Sequence, residues 1–371
     1  MTQLQTLRWR MTCAISYRLR GIRNGRFAEH CRPTSIICLM TERCNSRCTH
    51  CDIWKDRGKE DTPTLEEWKK VLDDLQHWLG PAQVTLSGGE ALLRRDTIDI
   101  LSHGSKIGLM MELLSHGYWP DAKRMEQVAL AKPWRVTLSV DGVGEPHNVV
   151  RGRPDFWAKT SASLDTLLRM RREQSLSYIV LLKTVVMRQN LEAVPDIARF
   201  AAEKGVGVFY QPIEQNYHTE ADPLWFKTSP NFPQDTEKAV KVVDELIALQ
   251  DQGMPIRNSR AQLEVMRTYF RDPAGLSRAV QGHSAHESKQ LCSGMTGLQI
   301  QANGGVGSCA NMPQFGNIRQ TPIRELWRNR PRYWLSKCCM DSTPQHLDVL
   351  PAESPRQNID CLLYTSDAAD E

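Results

Sequence analysis

From residue 35 onward, short runs rich in aliphatic and β-branched residues alternate along the chain with longer amphipathic stretches. This alternation is typical of an α/β protein, in which parallel strands are joined by crossover helices. The predicted strands are 35–40, 83–87, 107–114, 135–140, 178–187 and 206–211. The sequence therefore predicts a parallel sheet built from these six strands.

The helix after the first strand has a clear beginning and end. Thr64 and Glu67 have the spacing of a capping box, and Gly80 followed by Pro81 stops the helix. Apolar residues at helical spacing between these limits form one face. Beyond the sheet's first strands, the pattern predicts helices near 190–205, 235–251 and 259–270, a loop over 212–234 and a hairpin over 298–309.

Three cysteines, Cys44, Cys48 and Cys51, share one short loop after the first predicted strand. The 11 cysteines in 371 residues are roughly twice the usual intracellular content, and clustered thiols in a reducing compartment indicate metal ligands. Three thiolates can hold three irons of a cubane and leave the fourth iron open. A zinc knuckle with His50 as fourth ligand is the alternative. Cys38, inside the strand itself, is predicted to be a small core residue.

Further candidate residues for the same site are His50, Gly88, Gly89, Glu90, Ser139, Asp141 and Arg151. The glycine pair with its glutamate follows the second predicted strand, and the serine and aspartate lie where the fourth ends. Together with the CxxxCxxC spacing, these motifs resemble the radical S-adenosylmethionine (SAM) superfamily. The resemblance implies a partial (β/α)6 barrel of the TIM type, with its site at the carboxyl ends of the strands.

The resemblance also implies a role for each motif. The 88–90 turn would hold the methionyl amino group of SAM, because glycines let the backbone approach a ligand and Glu90 can accept from an ammonium. Ser139 and Arg151 would lie by the ribose and carboxylate. The implied cofactors are a [4Fe–4S] cluster and SAM, whose reductive cleavage gives a 5′-deoxyadenosyl radical that abstracts hydrogen from a substrate.

A second group of cysteines lies near the C-terminal end of the chain. Cys292, Gly304 and Cys309 have the spacing that opens the SPASM and twitch modules, which this part of the chain resembles. The resemblance implies a smaller α+β module with an auxiliary iron–sulfur cluster, for which the adjacent Cys338 and Cys339 are further candidate ligands. Adjacent cysteines rarely ligate one metal because their side chains diverge, and buried structural thiols are the alternative for this group.

The implied function is modification of a peptide or protein side chain, because modules of this kind often accompany peptide substrates. A flavodoxin- or ferredoxin-type protein is the implied reductant. Two alternatives stay open: a radical SAM enzyme of small-molecule or cofactor biosynthesis, and a metal-binding regulatory or electron-carrier protein without SAM turnover. An enzyme is favoured by the implied SAM-binding residues, which are the 88–90 turn, Ser139 and Arg151. A regulatory or electron-carrier protein without SAM turnover would not need a SAM-binding site.

The N-terminal segment carries a charge that the whole-chain value hides. Residues 1–33 hold seven arginines and one glutamate (+6), whereas the net charge of the chain is +4, which leaves −2 for the rest. Leu4, Leu7, Met11 and Ile15 have helical spacing in this segment, and a solvated surface helix is favoured over a membrane or nucleic-acid arm. No motif for nucleic-acid binding occurs elsewhere in the sequence, so no nucleic-acid partner is predicted.

The predicted segments are a basic helical extension (1–34), the barrel core (35–215), a helical connecting or substrate region (216–290), the cluster-binding module (291–360) and a tail (361–371). The tail reads CLLYTSDAADE, the translation of a transposase sequencing adapter, so we expect it to be foreign to the natural protein and that protein to continue past Asp360. The sequence has neither a run of about eighteen apolar residues nor a signal-peptide core, and a cytoplasmic location is predicted.

Overall fold

The computed structural model describes residues 3–21, 30–55, 61–216, 219, 222, 224–273, 296–308 and 314–331. The four predicted auxiliary ligands, Cys292, Cys309, Cys338 and Cys339, lie outside these ranges, as does the adapter-like segment 361–371. Their predicted roles therefore stay predictions.

One open sheet organises the described chain. Its strands are β1 (Ser35–Leu39), β2 (Gln83–Ser87), β3 (Met110–Ser115), β4 (Arg135–Ser139), β5 (Ile179–Val186), β6 (Gly207–Pro212), β7 (Gly297–Ile300), β8 (Gly305–Gly307) and β9 (Gly316–Asn317). The strand order is β6-β5-β4-β3-β2-β1-β7-β8-β9, and β1 to β6 pair in parallel with their sequence neighbours. This is the partial six-unit barrel that the sequence predicts.

Helices alternate with these strands along the chain and flank them at both ends. They are α1 (Gln3–Gly21), α2 (Leu65–Leu79), α3 (Thr97–Lys106), α4 (Lys123–Leu130), α5 (Glu145–Arg151), α6 (Phe156–Glu173), α7 (Val194–Lys204), α8 (Trp225–Thr228), α9 (Thr236–Asp251), α10 (Arg260–Arg271) and α11 (Ile323–Asn329). The described helices include none that is both long and apolar enough to span a membrane.

Local sequence signals set several of these boundaries. The predicted capping box is confirmed, because the Thr64 side chain accepts from the backbone N–H of Glu67 and the Glu67 carboxylate accepts from Thr64. The helix predicted from residue 190 begins four residues later, at Val194. Asn190 instead makes a turn, in which its side-chain oxygen accepts from the backbone N–H of Met187.

Residues of the barrel strands alternate between two environments, as the period of two in a strand requires. In β1, Cys38 is fully buried away from the cavity inside the barrel that Ile37 and Leu39 line. Cys38 has no exposed surface, which confirms its predicted place in the core.

The C-terminal hairpin extends the barrel sheet. Strand β7 pairs in parallel with β1, with Ser35 opposite Gly297, and β8 returns antiparallel to β7. The indole N–H of Trp327 in α11 donates to the backbone oxygen of Cys31 at 2.8 Å, and its ring packs on Trp78 of α2. The described part of the predicted cluster-binding module is therefore continuous with the barrel.

Candidate active site

The loop that follows β1 brings its three cysteines to one cavity. Cys44, Cys48 and Cys51 all line this space of about 420 Å³, which runs through the barrel interior from the carboxyl ends of the strands. Among the described residues, no three His, Cys, Asp or Glu side chains converge as a single-ion site requires. A [4Fe–4S] cubane does not require its ligands to converge on one ion, because each cysteine binds a different iron.

The turn after β2 holds this loop from one side. Gly89 N donates to Thr41 O at 2.8 Å, and Glu90 N donates to Arg43 O at 2.9 Å. A Cβ at Gly88 would overlap Thr41 O, and one at Gly89 would lie 2.5 Å from Arg43 O. The sequence predicted that these glycines let the backbone approach a ligand; in the structure they let two backbone segments approach each other.

The C-terminal end of α5 holds the same loop from the other side. Arg47 N donates to Arg151 O at 3.2 Å, and Thr49 N donates to Val150 O at 3.0 Å. Gly152 caps the helix in the left-handed conformation (φ 72°), and a Cβ there would lie 2.6 Å from Arg47 O. The cysteine loop is thus fixed between two elements that both contain obligatory glycines.

A buried ion pair supports one of the thiols. Arg151 Nη2 lies 2.6 Å from Asp141 Oδ2, and Arg151 Nη1 donates to Cys48 Sγ at 3.5 Å. Burial alone would raise the pKa of Asp141, but the charge of Arg151 reverses the effect and lowers that pKa. Ser139 and Arg151 line the cavity, whereas the fully buried Asp141 lies behind the arginine and accepts from Val185 N.

Glu90 has a dense set of internal partners that the sequence did not suggest. Its carboxylate is almost fully buried and accepts from Ser115 Oγ at 3.0 Å and from His116 N at 2.9 Å. Nδ1 of His116 accepts from Tyr118 N, so its proton is on Nε2, which lies 2.7 Å from Asn45 Oδ1 in the cysteine loop. The sequence feature that could have identified Ser115 and His116 as site residues is their position at the carboxyl end of the third strand.

Burial controls the charge of the loop's own side chains. It raises the pKa of the Cys44 thiol to about 12 and that of Cys51 to about 11. These thiols therefore stay protonated at neutral pH unless a metal ion displaces the proton. Burial also lowers the pKa of His50 to about 4, and its Nδ1 faces the protein interior without a hydrogen-bond partner.

A second polar network lies further inside the barrel. Glu112 of β3 accepts from both Nε and Nη2 of Arg135, at 2.9 and 3.0 Å, and from the hydroxyls of Thr137 and Thr85. Burial favours the neutral acid, but the charge of Arg135 and these hydrogen bonds outweigh it and lower the pKa of Glu112 to about 2. Glu112 and Arg135 also line the cavity, so its inner wall is polar and charged.

The fold and this rim of thiols define an open α/β barrel enzyme with its site at the carboxyl ends of the strands. Residues 38–201 match the family model described as the radical SAM superfamily, and residues 292–346 match the SPASM model, described as an iron-sulfur cluster-binding domain. The chain therefore contains a radical SAM domain over residues 38–201 and a SPASM domain over residues 292–346. Its cofactors are accordingly a [4Fe–4S] cluster and SAM, with auxiliary iron–sulfur clusters implied by the SPASM domain.

Characterised relatives differ in what they act on. The chain is 26% identical to the AdoMet-dependent heme synthase of Methanosarcina barkeri over 306 residues, which span 80% of this chain and 82% of that protein. It is 31% identical to the PqqA peptide cyclase of Bradyrhizobium diazoefficiens over 174 residues, 46% of this chain and 44% of the cyclase. SuiB of Streptococcus suis bound to S-adenosylmethionine has the same fold, with a TM-score of 0.61, 12% identity, and coverage of 87% of this chain and 72% of SuiB.

Proposed function

We propose that Cys44, Cys48 and Cys51 bind the [4Fe–4S] cluster of this enzyme. The observation that carries this proposal is that three thiols from one loop line a single cavity. The donor set suits a cluster, because thiolates are the ligands that iron–sulfur clusters take in proteins and a fourth cysteine is absent from the described loop. The hydrogen bonds to the loop from the 88–90 turn and from α5 support a rigid site.

We propose that SAM occupies the part of the cavity between the cysteine loop and Ser139. The volume of about 420 Å³ falls in the range of small-molecule sites. Arg151 lies at the cavity wall beside Cys48, where its cation suits a carboxylate. The negative charge of the Glu90 carboxylate suits the ammonium group of SAM. In the structure this carboxylate accepts hydrogen bonds from Ser115 Oγ and His116 N. When bound, the two cofactors supply the radical that abstracts hydrogen from the substrate.

The proposed substrate is a peptide or protein side chain, and the proposed electron source is a flavodoxin- or ferredoxin-type protein. The PqqA peptide cyclase of Bradyrhizobium diazoefficiens supports the peptide, with 31% identity in the aligned region. The heme synthase supports a second candidate, a cofactor precursor, because that alignment covers 80% of this chain. A cytoplasmic location is proposed on the ground that unpaired thiols and iron–sulfur clusters need a reducing compartment.

The first experiment tests SAM cleavage itself. The protein is reconstituted anaerobically with iron and sulfide, mixed with SAM and dithionite, and assayed for 5′-deoxyadenosine by mass spectrometry. We expect 5′-deoxyadenosine to form and the Arg151→Met variant to form much less. A protein with an intact cluster that makes none would contradict the proposed chemistry.

The second experiment separates the two substrate classes. The enzyme is incubated under the same conditions with a short peptide encoded beside its gene, and in parallel with an iron porphyrin that carries propionates. We expect a mass change in the peptide and an increase in 5′-deoxyadenosine on peptide addition. A mass change confined to the porphyrin would favour the cofactor-precursor candidate.

A further inference from the structure

Helix α1 turns an apolar stripe away from the protein. Its four members are large hydrophobic side chains with exposed fractions of 54 to 73%: Leu4, Leu7, Met11 and Ile15. Their spacing places them on one face of the helix. The other large exposed hydrophobic residues of the described chain, Leu130, Val149 and Ile179, lie on three separate elements. Single exposed apolar residues are ordinary on a protein surface, whereas a continuous stripe marks an interaction site.

The opposite face of α1 is anchored to the barrel, so the stripe cannot turn inward while the helix stays docked. Trp9, Cys13 and Ser16 are 3% exposed or less. The hydroxyl oxygen of Ser16 accepts from Arg32 N at 3.1 Å, and its backbone oxygen lies 3.3 Å from the thiol of Cys31. The outward direction of the stripe is therefore fixed by packing on the other side.

The helix lies at the amino-terminal ends of the strands, away from the cysteine loop. Cβ positions at Gly80 and Gly108, which precede β2 and β3, would lie 3.7 Å from the guanidinium carbon of Arg8 and 3.7 Å from Gln5 Nε2. The thiol of Cys13 points to Thr34 O, just before β1. A surface bound to the stripe would thus leave the carboxyl ends of the strands, where the cysteines lie, open to a substrate.

We propose that this stripe docks the enzyme on an anionic lipid surface. The charge of the N-terminal segment favours an anionic lipid surface as the binding partner. Residues 1–33 contain seven arginines against one glutamate, while the rest of the chain carries a net charge of −2. Arg8 is exposed beside the stripe. An exposed apolar helix face within an arginine-rich segment suits the headgroup region of an anionic bilayer, where apolar side chains insert and arginines meet lipid phosphates.

The experiment is vesicle flotation of the full-length, cluster-loaded protein. One set of vesicles is phosphatidylcholine, and the other contains about one-third phosphatidylglycerol. We expect the protein to float with the anionic vesicles, not with the neutral ones, and to dissociate as salt is raised. The Met11→Glu variant should lower the bound fraction about tenfold or more, because it puts a charge into the apolar stripe.

Leu130→Glu is the matched control, because Leu130 of α4 is 56% exposed and Met11 is 57% exposed. The control should float like the wild type, and circular dichroism should be the same for all three proteins. Equal losses in both variants, or no flotation of the wild type, would overturn the proposal. A wild-type dimer that Met11→Glu converts to monomers in light scattering would also overturn it, because the stripe would then bind a second copy of the chain.

Discussion

The guanidinium Nη2 of Arg151 lies 2.6 Å from the carboxylate Oδ2 of Asp141, and both side chains are buried. The pair spans two elements, since the arginine ends α5 and the aspartate follows β4. Because Arg151 also reaches the thiol of Cys48, the carboxylate fixes a cation beside the cysteine loop. The ion pair therefore couples the stability of the barrel rim to the geometry of the candidate site.

Removal of one partner should be costly. Arg151→Met leaves the carboxylate of Asp141 buried and unpaired, and we expect a loss of about 3–5 kcal/mol in the free energy of unfolding. The double variant Asp141→Leu/Arg151→Met should recover much of that loss, because no buried charge remains. Urea unfolding of the cluster-free proteins measures both. Arg260→Met, which breaks an exposed pair with Asp251, is the control and should leave the stability unchanged. A single variant as stable as this control would contradict the expected coupling.

The iron content tests the cysteine loop directly. Changing Cys44, Cys48 and Cys51 together to alanine should remove about four irons per chain, the content of one cubane. Cys38→Ala is the control, because this thiol lies in the adjacent strand but is fully buried and does not line the cavity. Chemical iron analysis of anaerobically reconstituted protein gives the count. Iron that remains in the triple variant would belong to auxiliary clusters, and a triple variant with unchanged iron would rule out the loop as the cluster site.

The order of strands and helices was predictable because it depends on local patterns. The hydrophobic periodicity gave six parallel strands, and the Thr64–Glu67 capping box marked the start of α2. The pairing of β7 with β1 was not predictable, because partners separated by more than 250 residues leave no local pattern. Ser115 and His116 were missed for a different reason: they lie at the end of the third strand, but their contacts with Glu90 appear only when β2 and β3 lie side by side.

Alanine substitutions at two glycines with the same backbone conformation should distinguish the effect of backbone strain from that of a steric clash. Gly152 (φ 72°, ψ 30°) and Gly205 (φ 63°, ψ 38°) both end helices in the left-handed region. A Cβ at Gly205 has no neighbour within 4 Å, whereas one at Gly152 meets Arg47 O of the cysteine loop. Gly205→Ala should cost about 1–2 kcal/mol of stability and keep its iron.

Gly152→Ala should show the same strain and lose most of its iron as well, because the loop must move to admit the methyl group. Iron analysis measures the cluster content of both variants, and urea unfolding measures their stability. Full iron retention in Gly152→Ala would mean that the loop tolerates the displacement.

The buried carboxylate of Glu112 should make the stability of the barrel depend on pH. Its pKa is lowered from the ordinary 4.5 to about 2, against the effect of burial, by the charge of Arg135 and by hydrogen bonds. The folded state thus favours the ionised form, whose contribution is complete above about pH 4.5 and is lost as the pH falls towards 2. A shift of this size corresponds to about 3 kcal/mol.

Glu112→Gln removes this titration, so the stability difference between wild type and variant should be constant above about pH 5 and shrink below it. Thr137→Val removes one hydrogen bond of 2.6 Å that lowers the pKa of the carboxylate, so its stability should begin to fall at the same pH as that of the wild type but level off at a higher pH. Urea unfolding of the cluster-free proteins between pH 7 and pH 3 supplies the three curves. Parallel curves for wild type and Glu112→Gln over that whole range would show that Glu112 does not titrate with a lowered pKa.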